Sequence, residues 1–188
     1  MGFLKKKELV NIGFKSIGEN VLISDKTSIY GAERIEIGSN IRIDDFCILS
    51  AGEGGIEIGK YVHIAAYCSL IGKGLIKLKD FAGLSSRVAI YSSSDDYSGK
   101  FLTNPTVPDE FKNVNHGSVI VGKHVIIGVS ASILPNVEIG DGSAVGAYSL
   151  VTKNVLPGII VNGVPAKFLM NRSKKIFDLE KEFLSRKA

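Results

Sequence analysis

At 188 residues, with 21 glycines, two cysteines and no tryptophan, the chain has room for one domain with a continuous core. The formal net charge is +4 and the pI about 9.0, a mild bias towards anionic small ligands. Basic residues are scattered without interleaved aromatics, which argues against nucleic-acid binding, and no apolar run suits a secretion signal or a membrane span. Lys6 stands where a myristoylation motif after Gly2 needs Ser or Thr. A cytoplasmic chain without membrane insertion is the expectation.

In chain order, residues 1–16 precede any repeat and are expected to cover the open end of the repeating region. From Ile17 an aliphatic residue recurs every six positions: Ile17, Ile23, Ile29; Ile37, Ile43, Leu49; Ile58, Ile64, Leu70; Leu78, Leu84, Ile90. These groups of three start 20, 21 and 20 residues apart, so two or three extra residues enter at one corner. After a gap the period resumes at Val121, Ile127 and Ile133, then Ile139, Val145 and Val151. The fifth residue of each unit is also small or apolar, as at Val21, Ile41, Val62, Val88 and Val125. Three six-residue units make one triangular coil, and no coil buries its apolar face alone. The pattern therefore predicts an all-β parallel β-helix of about six coils. The glycines are expected at tight corners that need positive φ.

Cys47 and Cys68 hold the same fifth position in consecutive coils, about one strand spacing (roughly 4.8 Å) apart. Parallel, in-register side chains do not readily reach the disulfide torsion, so both are expected to be reduced, inward and to act as small hydrophobes. Residues 91–118 break the period with Pro105, Pro108 and a Ser/Asp cluster. A long excursion from a rigid scaffold points to function. The tail beyond residue 170 reads as an amphipathic helix with Ile176, Leu179 and Phe183 on one stripe, placed to cap the second end or to touch a neighbour.

The stretch IIGVSASILPNVEIGDGSAVGAYSLVTKNV followed by NGVPAKF resembles the hexapeptide-repeat acyltransferases. It closely resembles the C-terminal half of galactoside and maltose O-acetyltransferases and also looks like the surface-polysaccharide (lipopolysaccharide) sugar acetyltransferases. The resemblance spans roughly residues 17–170, leaving 1–16 as a cap and 171–188 as the C-terminal helix. It implies a left-handed coil, a homotrimer, and acetyl-CoA bound between neighbouring helices, with a sugar or nucleotide-sugar acceptor and no metal. Residue by residue, it places the pantetheine groove along Val129 and Ala147, with Gly128 and Gly146 admitting the cofactor. Thr152 and Lys153 then meet the adenine and phosphate end, and Lys167 the ribose phosphate.

The family's general base, a loop histidine supported by an asparagine one coil below, is replaced here by Asp95 and Ala65. His63 with Asp95 or Asp96 beside its ring would restore a base-plus-orienter pair. His116, in the loop, is the second candidate, and His124 reads as a surface residue. A nucleotide-linked amino sugar would fit the missing histidine, because an amine needs less help than a hydroxyl. The acceptor would attack the thioester directly while a backbone N–H of the coil steadies the oxyanion. Two readings from other classes remain. A γ-type carbonic anhydrase needs three imidazoles on zinc, but His63, His116 and His124 are spaced unsuitably. A non-catalytic scaffold with a flat threonine face has only Thr27, Thr103, Thr106 and Thr152 to build it.

Overall fold

The computed structural model describes residues 2–186, so residue 1 of the cap and residues 187 and 188 of the tail lie outside the described residues. Three parallel sheets form the walls of a left-handed prism. The first has six strands: Ser16–Ile17, Ile35–Ile37, Ile56–Ile58, Ile76–Leu78, Val119–Val121 and Val137–Ile139. The second runs Val21–Ile23, Ile41–Ile43, His63–Ile64, Gly83–Leu84, Ile126–Ile127, Ala144–Val145 and Ile159–Asn162, and an antiparallel strand, Lys167–Asn171, completes its eight. The third has six: Ser28–Tyr30, Ile48–Ala51, Ser69–Gly72, Ala89–Tyr91, Ser132–Ile133 and Leu150–Val151. Register is direct from coil to coil, as in Ile35 on Ile56 and Ile76 on Val119.

The six-residue phase is borne out. Ile43, Leu49, Ile64, Leu70, Ile90, Val121, Ile127 and Ile133 have no exposed surface, and neither have Cys47, Cys68 and Val88 at fifth positions. Each fully buried aliphatic side chain contributes about 1.5–3 kcal/mol. The stack runs past the expected six coils into a partial seventh. Val155 bridges Ile139, and Ile160 and Val161 pair with Ala144 and Val145.

The corners correct the expectation about glycine. Left-handed φ falls on the fourth residue of the units, and it is mostly not glycine: Asn20 (54°), Asn40 (62°), Tyr61 (57°), Tyr67 (65°), Phe81 (60°), Arg87 (62°) and His124 (58°). Corner hydrogen bonds offset this strain, such as Phe81 N–H to the Lys60 carbonyl at 2.8 Å and Tyr61 N–H to the Ser39 carbonyl at 3.0 Å. The glycines at second positions meet a different demand. A Cβ on Gly128 would stand 2.5 Å from the Ala147 nitrogen, so the next coil's backbone fills that space.

At the N-terminal end, helix α1 (Lys6–Ile12) lays Leu9 into the core, with Leu4, Ile12 and Phe14 packed beside it. Helix α2 (Lys175–Ser185) runs along the prism's side instead of capping its end. Its Phe177 meets the His124 ring edge-on at 5.3 Å, and Phe183 meets Tyr61 at 5.4 Å and Phe81 at 6.2 Å. The residues that dock it are thus Phe177, Glu180 and Phe183, whereas Leu179 of the expected stripe is half exposed.

Candidate active site

Where the second sheet turns into the third, a groove of about 300 Å³ is lined by His63, Ala65, Gly83, Leu84, Ser85, Ser86 and Ile126. The coil geometry explains this set. His63, Gly83 and Ile126 are outward positions in register, and Ala65 and Ser85 are the second residues of their units. With small residues at 65, 83 and 85, the wall recedes into a groove.

His63 projects from the strand edge, but its orienting carboxylate is not the one expected. His63 Nε2 lies 2.9 Å from Asp44 Oδ2, and Arg42 Nε donates to Asp44 Oδ1 at 2.7 Å. Asp44 is buried; burial alone would raise its pKa, but the Arg42 and His63 hydrogen bonds outweigh that and hold the carboxyl below its usual range. Asp95 and Asp96 follow the third-sheet strand Ala89–Tyr91 and the loop strand Ser93–Ser94, whereas His63 lies in the second sheet, before that strand begins. Sequence reasoning misses Asp44 although a signal for it is present. In IRIDDF it is the second residue of a unit, one coil below Ala65.

The loop of residues 91–118 is tied at its base by antiparallel pairing of Ser93–Ser94 with Asn115–His116. His116 Nδ1 lies 2.7 Å from Ser93 Oγ, so this ring is part of the loop's closure. The two loop carboxylates differ. Asp96 accepts from the Ser98 N–H (2.6 Å) and Asn113 Nδ2 (2.9 Å), and these hydrogen bonds lower its pKa. The exposed Asp95 carboxylate has no partner among the described residues.

Of the residues implied for the cofactor, Val129 and Ala147 occupy third positions in the same corner column as Ser86, and neither N–H has an acceptor among the described residues. Gly128 and Gly146 sit beneath them, but the missing Cβ of each faces protein, Ala147 backbone and the Asn162 side chain respectively. Thr152, Lys153 and Lys167 are exposed at the C-terminal end of the stack. His124 is not the surface residue expected. Its ring stacks on Phe81 at 4.8 Å, and its Nε2 lies 2.8 Å from Glu180 Oε2, which latches α2. Among the described residues no cluster of His, Cys, Asp and Glu could hold a metal ion.

The repeat family "Bacterial transferase hexapeptide (six repeats)" matches residues 118–153. A dTDP-4-amino-4,6-dideoxy-D-glucose acyltransferase of Escherichia coli is 51% identical over 183 residues, 97% of this chain and 95% of that protein. The chain belongs to the hexapeptide-repeat acyltransferases. AntD, an N-acyltransferase from Bacillus cereus solved with dTDP and 3-hydroxybutyryl-CoA, superposes with a TM-score of 0.94 at 50% identity. That match covers 98% of this chain and 97% of AntD. A perosamine N-acetyltransferase from Caulobacter crescentus, 18% identical over 80% of this chain and 57% of its own, has a TM-score of 0.58 and shares the fold. The chain is an acyltransferase that uses a CoA thioester as its donor. No helix among the described residues is long and apolar enough to cross a membrane.

Proposed function

We propose that this acyltransferase transfers an acyl group from CoA to the 4-amino group of dTDP-4-amino-4,6-dideoxyglucose, or a close stereochemical relative. The observation that carries the reading is the 51% identity to an enzyme of that name across nearly the whole of both chains. AntD supports it, because it has been solved with this amino sugar and CoA. Variants of one serine and one later aspartate were chosen for those structures. Here the matching candidates are Ser85 or Ser86 in the groove and Asp95 or Asp96 in the loop.

A neutral amine attacks the thioester carbonyl, forming the C–N bond and an oxyanion. Collapse breaks the C–S bond, the thiolate leaves, and the surplus proton passes from nitrogen to sulfur. The thiolate of a thiol with a pKa near 8.5 is basic enough to take that proton, so the missing loop histidine is not needed. His63, held by Asp44, then orients the acceptor at the groove's edge. His63→Asn is expected to reduce kcat by less than about tenfold. A drop of about 10²–10⁴ with loss of the acidic limb of the pH profile would instead make His63 and Asp44 the base pair.

Asp95 and Ser85 flank opposite edges of one chain's third sheet, so we assign the complete site to two subunits of a trimer, groove from one and loop from the next. A monomer in light scattering that retains full turnover would remove this assignment. The reading places the reaction in the cytoplasm and assigns Lys153 and Lys167 to the phosphates of CoA; the exposure of both side chains supports that assignment. Mass spectrometry after incubation with acetyl-CoA and a panel of dTDP-amino sugars and dTDP-sugars tests the reading. An acetylated product only from non-amino sugars would sink it. A larger acyl group is a second reading, favoured by the 3-hydroxybutyryl-CoA bound in AntD, and a competition between the two thioesters reads it directly.

A further inference from the structure

The corner that carries the groove is braced from inside by a column of donors. Thr27 Oγ1 reaches the Asp44 carbonyl (3.3 Å), Cys47 Sγ the Ala65 carbonyl (3.1 Å) and Cys68 Sγ the Ser85 carbonyl (3.1 Å). The rung above is Val88, which has no donor, and there the Gly128 carbonyl accepts the Ala131 N–H at 3.3 Å instead. The column therefore ends at the coil bearing Ser85 and Ser86. Neither the Ala65 nor the Ser85 carbonyl has another donor among the described residues. In a planar trans peptide the C=O and the following N–H point in opposite directions. A Ser85 carbonyl drawn inward thus turns the Ser86 N–H outward, where it has no acceptor among the described residues. The sequence suggests two buried thiols acting as hydrophobes; the structure makes them donors as well.

We propose that Cys68 is a positioning residue for acyl transfer: its buried S–H holds the Ser85 carbonyl inward and so aims the Ser86 N–H at the thioester oxygen as charge develops there. This rests on the groove being the acyl-transfer site. The neighbouring Cys47 thiol and burial push the Cys68 thiol far up, so it remains a protonated donor. Without that donor the carbonyl would be left unpaired in the core, and the peptide plane would tilt to find a partner.

The test compares Cys68→Val and Cys68→Ala, which remove the donor at different volumes, with Cys68→Ser, which restores one. Losing a well-aimed oxyanion donor costs about 10²–10³ in kcat, so a tilted one is expected to cost roughly 10- to 100-fold. The KM for the amino sugar and the affinity for acetyl-CoA should stay near wild type, and Cys68→Ser should recover most of kcat. A purely structural role would lower thermal stability without this split or rescue. Wild-type kcat in either apolar variant, or a serine variant as slow as valine, overturns the proposal. A crystal structure of Cys68→Ala reads the same point without turnover: the Ser85–Ser86 peptide should rotate, and an unmoved plane overturns it. An inactive wild type would count against the assigned substrate, while the peptide plane would still decide the role of Cys68.

Discussion

Replacing Asp95 by alanine is expected to lower kcat/KM for the amino sugar by roughly 10- to 150-fold, with acetyl-CoA affinity unchanged. The reason is the asymmetry between the two loop carboxylates. Asp96 is committed to the Ser98 N–H and Asn113 within its own loop, whereas Asp95 is exposed and has no partner among the described residues. A carboxylate left unpaired at the mouth of a candidate site can accept from an amine or a sugar hydroxyl. A hydrogen bond to such a charged group contributes about 1.5–3 kcal/mol, which is the fold-change given. Asp96→Ala should act differently, loosening residues 96–113 and lowering stability more than specificity. Steady-state kinetics with amino sugar and acetyl-CoA varied in turn separates the two. If Asp96→Ala loses acceptor binding while Asp95→Ala behaves as wild type, the roles are exchanged.

What the chain discloses by itself depends on whether a property is periodic. Burial repeats every six residues, so Ile43, Ile64 and Leu84 announce both the coil and the inward wall through their spacing alone. The outward wall has no such rule. The sequence points to the loop for the partner of His63, yet that partner is Asp44, nineteen positions earlier in the chain and one rung below in space. Only the coil register, Arg42 beside His63 beside Gly83, makes that neighbourhood visible. His124 reads as a surface residue for a related reason. Its ring lies in a column with Tyr61 and Phe81, and the column becomes a docking surface once α2 covers it. The course of α2 does not follow from its own amphipathic stripe, because a stripe says that a face is covered and not by what. The loop base, Ser93 with His116, pairs residues across a non-repeating segment, where no period guides the eye.

Glycine offers the sharpest contrast between a residue's type and its reason. Gly128→Ala is expected to destabilise the stacked coils by about 1–3 kcal/mol, because the new methyl would meet the Ala147 nitrogen at 2.5 Å and neither backbone can yield without disturbing the next rung. The melting temperature should fall by several degrees, and activity should fall with it as the groove's upper wall shifts. Gly83→Ala places the same methyl in the groove itself, with a different result. Its only near neighbour among the described residues is Ile126 Cδ1 at 3.1 Å, the tip of a flexible and exposed side chain that can turn aside. Stability should hardly change there, whereas the narrowed groove should raise the KM for the acceptor. Calorimetry and kinetics on the two variants distinguish coil spacing from ligand access. Should Gly128→Ala melt with the wild type and lose only acetyl-CoA affinity, this glycine guards the approach of the cofactor, as the family resemblance implies, and not the contact between coils.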